Sequence, residues 1–252
     1  MAFKFGGVHL SSISSDIGCR NISDSLLPEQ KEVVLDYDSM DGEIDMSEAN
    51  VLGRVMYKTR TFEREIFIRG GSMQNTRQLA RKLATYFSGG YKELVFDETP
   101  DVTWTAKVAN QIDLENVLSA SGRATIYFKA QPYGVGAKNV LSWETTSGLL
   151  GVTINNSGYY TKPIIRIKGD MKSCTVARDA TVDGITAIGY GGACSDLVIN
   201  CKQMTVSVDS KVTAVGVTGS FFEFEPGDNY LSINANCTAG AKITVSYDTL
   251  VL

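Results

Sequence analysis

The stretch Leu94-Val-Phe-Asp-Glu-Thr-Pro-Asp-Val-Thr-Trp-Thr-Ala-Lys-Val108 decides how the chain is read. Its ends, Leu94–Phe96 and Trp104–Val108, combine β-branched and aromatic residues and read as strands. Its centre holds three acids and Pro100, which fixes φ, so the two strands are joined by a turn. Just upstream, from about Met73 to Phe87, runs the one convincing helix. Ser72 can cap it by accepting backbone N–H bonds. Leu79, Leu83 and Phe87 recur at i, i+4 and i+8 as one apolar face, and Gly89 and Gly90 supply a left-handed stop. Arg77, Arg81 and Lys82 fall off that face and read as solvated. Further strands are expected at Glu65–Arg69, Tyr91–Phe96 and Ala124–Lys129. One helix among so many strands excludes repeated βαβ units, so the fold class is mainly β, beginning with a β-rich domain that holds a single α-helix.

The second half changes character. Residues 1–138 hold 16 Lys/Arg and 18 Asp/Glu, whereas 139–252 hold 8 and 10, so charge density falls while its sign does not change. Short strands are expected at Ile164–Lys168, Asp196–Asn200, Met204–Val208, Asn229–Asn234 and Lys242–Tyr247, the last three with clear alternation, and turns at Asp183-Gly184 and Pro226–Asn229. That spacing suggests an antiparallel β-sandwich. Between the halves, Pro132–Lys138 contains a proline and two glycines and reads as an exposed connector. The expected domains are 1–133 and 139–252.

Composition excludes several classes. The net charge of −4 gives no basic footprint, so nucleic-acid recognition is not expected. No apolar run reaches the roughly 18 residues of a membrane span, and none is expected to insert. The first ten residues lack the apolar run of a secretory signal; Phe3, Phe5 and Val8 suggest an opening strand that includes His9. The five cysteines, Cys19, Cys174, Cys194, Cys201 and Cys237, form no Cys-x-x-Cys pair and are expected to be free thiols in a reducing compartment, without zinc.

No constellation of chemistry-bearing residues stands out, and no catalytic, cofactor-binding or metal site is assigned. His9 is the single histidine, which leaves little for a triad or metal cage. Asp36–Glu48 holds six acids and no base, and matches a calcium loop at Asp41, Gly42, Ile44, Asp45 and Glu48. Its first ligand position is Tyr37, and its flanks, Glu32–Leu35 and Val51–Tyr57, look like strands where such a loop needs helices. An acidic hairpin tip turning at Asp41-Gly42 is the better reading. Gly189–Gly192 lacks the Lys-Ser/Thr of a phosphate loop and reads as a sandwich loop. Glu223 and Glu225 lie two apart on one side of a strand, one arrangement for the paired carboxylates of a glycosidase, and Trp143, Tyr159, Tyr160 and Tyr190 offer faces for stacking on sugar; surface charge for the first and core or interface packing for the second are the plainer readings.

Leu94–Asp101 followed by Ala106-Lys-Val108 resembles the hairpin after the helix in the distal tail proteins of long-tailed phages. Ile126-Tyr-Phe-Lys-Ala-Gln-Pro-Tyr133 resembles the exit strand of that family's first domain. Asn155-Asn-Ser-Gly-Tyr-Tyr-Thr-Lys-Pro-Ile-Ile-Arg-Ile-Lys-Gly169 resembles the opening of its outer domain, and Phe224–Ile233 and Ile243–Tyr247 its closing strands. The resemblance implies N-terminal domains that form a ring, commonly hexameric, continuing the tail tube, and a galectin-like or carbohydrate-binding-module-like outer sandwich. It implies a structural virion protein at the distal end of the tail, assembled in the host cytoplasm. The implied partners are copies of itself, the tail tube protein, the tail-tip hub protein and receptor-binding proteins, with no cofactor and no enzymatic turnover. The alternative is a carbohydrate-binding module that contacts host wall polysaccharide; a glycosidase on a β-sandwich is a third reading.

Overall fold

The computed structural model describes residues 2–36, 38, 41–50, 52–110, 115–118, 121–146, 148–178 and 186–252. The chain divides into two compact units, 1–134 together with Leu252, and 135–251.

The first unit contains β1 (Phe3–Phe5), β2 (Val8–His9), β3 (Ile17–Asp24), β4 (Val34–Asp36), β5 (Glu43–Asp45), β6 (Arg60–Arg69), α1 (Met73–Phe87), β7 (Lys92–Phe96), β8 (Trp104–Val108), β9 (Glu115–Leu118) and β10 (Ser121–Ala130). All but β4 and β5 join one antiparallel sheet in the order β2-β1-β7-β8-β10-β6-β3, with β9 also on β10. The helix has the bounds its local signals suggest. Ser72 Oγ accepts from the Asn75 N–H, Leu79, Leu83 and Phe87 are buried, and Gly89 takes φ +103°. That apolar face lies on Ile66, Ile68, Ala124 and Ile126 of β6 and β10. Beside it Phe128 is fully buried, with the Phe3, Phe5 and Phe87 rings centred 5.1, 5.4 and 6.1 Å away. One aromatic cluster therefore ties the first strand, the helix and the last strand of the unit.

The opening residues depart from the single strand expected. Gly6 and Gly7 both adopt positive φ and make a two-residue hairpin turn, pairing Phe5 with Val8. Val8 is consequently exposed while Phe3 and Phe5 are buried. Residues 52–57 likewise form no strand; only a single bridge, Gln30 to Tyr57, joins this stretch to the ladder.

The second unit contains β11 (Gly134–Thr145, whose first residue belongs to the other unit), β12 (Leu149–Asn156), β13 (Ile164–Arg178), β14 (Thr186–Asn200), β15 (Thr205–Val208), β16 (Lys211–Thr213), β17 (Val217–Gly219), β18 (Gly227–Cys237) and β19 (Ala241–Val251). β13 and β14 run for 15 residues each, far beyond the short strands expected. The first half of β13 pairs with β19, from Ile164↔Ser246 to Lys168↔Lys242; after register shifts on either side of Met171 its second half pairs with β18, from Ser173↔Asn236 to Arg178↔Leu231. One layer is therefore β11-β19-β13-β14-β15-β16, and the other is built by β12, β18 and β17 on the remaining halves of β13 and β14. Bulges let one strand serve both layers of a sandwich. Ile165, Ile167, Ile199 and Ile243 of the first layer meet Val176, Ile188, Leu231 and Ile233 of the second in one buried core.

The stretch read as an exposed connector is not a loop beyond Tyr133, because β11 starts at Gly134. Gly134 is buried, and a Cβ there would stand 2.5 Å from Val102 Cγ1 and 3.0 Å from the Trp104 ring. This glycine serves close packing, not chain flexibility. The Asp183-Gly184 turn lies outside the described residues.

Candidate assembly surfaces

Each residue considered for chemistry has a structural occupation. His9 sits between Ser11 and Asp97: its Nδ1 is 2.7 Å from Ser11 Oγ and its Nε2 is 3.1 Å from Asp97 Oδ1. The same Nδ1 accepts from the backbone N–H of Ser11, so the ring caps the short 3-10 turn Leu10–Ser12 and clips it to the end of β7. Glu223 and Glu225 flank a cation: Arg178 donates to the Glu223 carbonyl at 2.6 Å and pairs with the Glu225 carboxylate at 3.0 Å. Gly189–Gly192 is not a loop but part of β14, with Gly191 donating to the Gly216 carbonyl and Gly189 close to the Thr218 hydroxyl. Trp143 and Tyr190 pack against the sandwich core, and Tyr159 and Tyr160 meet edge to face at 5.0 Å, so neither pair presents a flat stack. All five cysteines are free thiols. Burial pushes Cys174 up to about 12 and Cys19 and Cys201 up to about 11, so at neutral pH they are protonated and poor nucleophiles.

The acidic segment forms the hairpin expected of it. β4 and β5 pair only with each other, in the register Val34↔Asp45, Leu35↔Ile44 and Asp36↔Glu43, and Gly42 at φ +88° precedes the return strand. Tyr37 lies outside the described residues. Among the described residues no three His, Cys, Asp or Glu side chains group as a cation cage. Asp45 is committed to the hairpin: its carboxylate accepts from the Ser47 N–H at 2.8 Å, and the Ser47 hydroxyl and N–H hold it below the usual aspartate range. Ser47 Oγ in turn accepts from the Val33 N–H.

This hairpin ends a long arm inserted between β3 and β6. Its ladder continues through Met46 N–H to the Val33 carbonyl, Lys31 N–H to Met56, and Lys58 N–H to Glu29, with a Lys58–Glu29 ion pair of 2.6 Å at the root. Period two places Val33, Leu35, Ile44 and Met46 on one face. They are 53, 41, 38 and 38% exposed, and among the described residues β4 and β5 pair with no third strand.

Two family models match the chain: a phage tail protein RIFT-related domain over residues 17–130, and the C-terminal domain of siphovirus-type tail components over residues 156–249. The chain belongs to the siphophage distal tail protein family. Its fold is similar to the crystal structure of the SPP1 Dit (gp 19.1) protein, described as a paradigm of hub adsorption apparatus in Gram-positive-infecting phages, with a TM-score of 0.73 and 14% identity, covering 100% of this chain and 99% of that one. The major capsid protein P2 of bacteriophage PM2 matches 56% of this chain at a TM-score of only 0.26, too low to carry an argument. A comparison with curated protein sequences finds no match.

In a tail component, assembly surfaces matter more than any pocket, and two arginines without a motif in the sequence bear on them. Arg64 is 2% exposed. It lies 4.0 Å over the Phe96 ring and donates to Asp24 at 2.5 Å and Asn21 at 2.8 Å. Arg60, 4% exposed, stacks 4.6 Å from the Trp104 ring and donates to the Ser25 and Leu26 carbonyls. Together they hold the segment that leads from β3 into the arm. The alternation Arg60, Phe62, Arg64, Ile66, Ile68 is the signal that marks both arginines as core-facing. A second surface is the outer side of α1, where Met73, Gln74, Arg77, Gln78 and Arg81 line a shallow open strip.

Proposed function

We propose that this protein is a distal tail hub subunit that assembles with copies of itself into a closed ring, commonly hexameric in the family it resembles. The ring joins the tail tube to the tail-tip proteins and supports receptor-binding parts. It sits at the distal end of the virion tail, is assembled in the host cytoplasm, and turns over no substrate. The observation that carries this reading is the arm: a hairpin rooted by buried arginines presents four large apolar residues that stay 38–53% exposed among the described residues. An uncovered apolar face beside an acidic tip is what a contact surface between subunits requires. Closed rings use two different patches that meet on neighbouring copies. Assembly is assigned to residues 1–134; residues 135–251 bury their own sandwich core and are expected to fold as an isolated fragment. Mass photometry across a concentration series, with electron microscopy of assembled tails, tests the ring. Tail tips that lack the protein, or that hold it outside any ring, would refute it.

A further inference from the structure

The two halves of the subunit contact are legible in the charge of the first unit. The arm segment 36–48 carries Asp36, Asp38, Asp41, Glu43, Asp45 and Glu48 and no Lys, Arg or His. Among the described residues, none of these acids forms an ion pair within its own chain. The helix α1, Met73–Phe87, has the opposite imbalance: Arg77, Arg81 and Lys82 and no acid. Arg77 and Arg81 are one turn apart on the same exposed side, and among the described residues neither is ion-paired. Met73, 50% exposed, stands one turn before Arg77 and adds an apolar contact to the strip.

We infer that the outer strip of α1, formed by Met73, Gln74, Arg77, Gln78 and Arg81, is the receptor for the acidic arm of a second copy of this chain. The inference rests on the ring reading and names its two patches. The chain as a whole is nearly balanced at a net charge of −4, so an all-acidic projection and an all-basic helix on the same unit are complementary patches and not a general bias. Asp36, Glu43 and Asp45 share the face of the hairpin opposite Val33, Leu35, Ile44 and Met46, so it is this acidic face that meets Arg77 and Arg81. Opposite patches also steer the copies into register before contact and disfavour arm-to-arm pairing, which would set acids against acids. Because the two patches differ, each copy donates one arm and accepts one, the head-to-tail logic a ring needs.

The test is charge reversal read by native mass spectrometry and sedimentation. The arm variant is Asp36→Lys/Glu43→Lys, and the helix variant is Arg77→Glu/Arg81→Glu. All four positions are exposed, so circular dichroism melting is expected to match wild type. Each variant alone should self-associate at least roughly tenfold more weakly than wild type at low salt. Mixed one to one, the two should regain assembly, because the reversed arm meets the reversed helix at one contact and the native arm meets the native helix at the next. The mixed rings should alternate strictly and contain an even number of copies. Wild-type association should weaken as salt rises and screens the contact. Rings formed equally well by the helix variant, or a mixture that stays as weak as its components, would overturn the inference and leave the ring standing. A helix variant that forms rings but no longer enters tails would assign the strip to another tail protein and overturn it too. A wild-type chain that remains monomeric at high concentration and low salt would instead count against the ring itself.

Discussion

Replacing Phe128 with alanine tests whether the first unit is organised around one aromatic cluster. Phe128 is fully buried on β10 and lies within 5.1–6.1 Å, centre to centre, of rings on β1 and α1. Removing a buried phenylalanine costs about 3–5 kcal/mol through lost transfer free energy and the cavity left behind. The upper half of that range is expected, because Phe3, Phe5 and Phe87 come from separate elements and cannot all collapse into one void. For a unit of this size the loss corresponds to a fall in melting temperature of roughly 10–25 °C. The assay uses the two tryptophans, one in each unit: Trp104 and Trp143. In a Trp143→Phe background urea unfolding reports on the first unit, and in a Trp104→Phe background on the second. The Trp104 transition should shift and the Trp143 transition should stay. A loss below about 1.5 kcal/mol would refute the cluster as the organising core. Equal shifts of both transitions would refute independent unfolding of the units.

Three further outcomes are expected. Gly134→Ala should cost about 1–3 kcal/mol, because the new methyl group would press on Val102 and Trp104; thermal melting that matches wild type would refute the packing role. Ser210→Gly should stabilise the second unit by roughly 0.5–1 kcal/mol, since Asp209 and Ser210 both hold positive φ in the tight turn between β15 and β16; calorimetry would show the rise. The Asp209 carboxylate accepts from the Ser195 hydroxyl and from the Ser195 and Asp196 N–H groups, which hold its pKa below the ordinary value. Its stabilising effect is therefore complete above about pH 4 and lost as pH falls through the folded value. Asp209→Asn should flatten the decline in melting temperature as pH falls below about 4.

The parts of the fold legible in the sequence are those whose cause is local. The helix needed only Ser72, the Leu79-Leu83-Phe87 period and the glycine stop, all within one segment, and it forms with the expected bounds. The β7–β8 hairpin around Pro100 is of the same kind, with Leu94 pairing with Trp104. The length of β13 was not legible. The expected strand ends at Lys168, but the strand passes through the bulge because β18, some 60 residues on, pairs with its second half. Glycine misled in both directions for one reason. Residues 6–7 use it for positive φ and reverse the chain, whereas Gly134 and Gly189 use it to bring side chains close, and sequence alone does not separate the two uses.

The assembly surfaces were half legible, and the missing half explains how one chain can carry them. Six acids without a base marked the hairpin, but the apolar residues between them looked like ordinary strand positions with a core to face. Only the structure, in which Val33, Leu35, Ile44 and Met46 stay 38–53% exposed, sets them apart from core positions. An uncovered two-stranded arm invites indiscriminate pairing, and charge on a strand is the usual protection against it. Here all the charge of the end segment 36–48 has one sign, so two arm ends repel each other, while Arg60 and Arg64 fix the segment from which the arm departs. In the proposed ring the same acids perform two tasks. They keep the arm of a lone subunit from pairing with another arm, and they direct it to the helix that carries only positive charge. Such a contact is satisfied once per copy, so closure leaves no arm uncovered and nothing to propagate a filament.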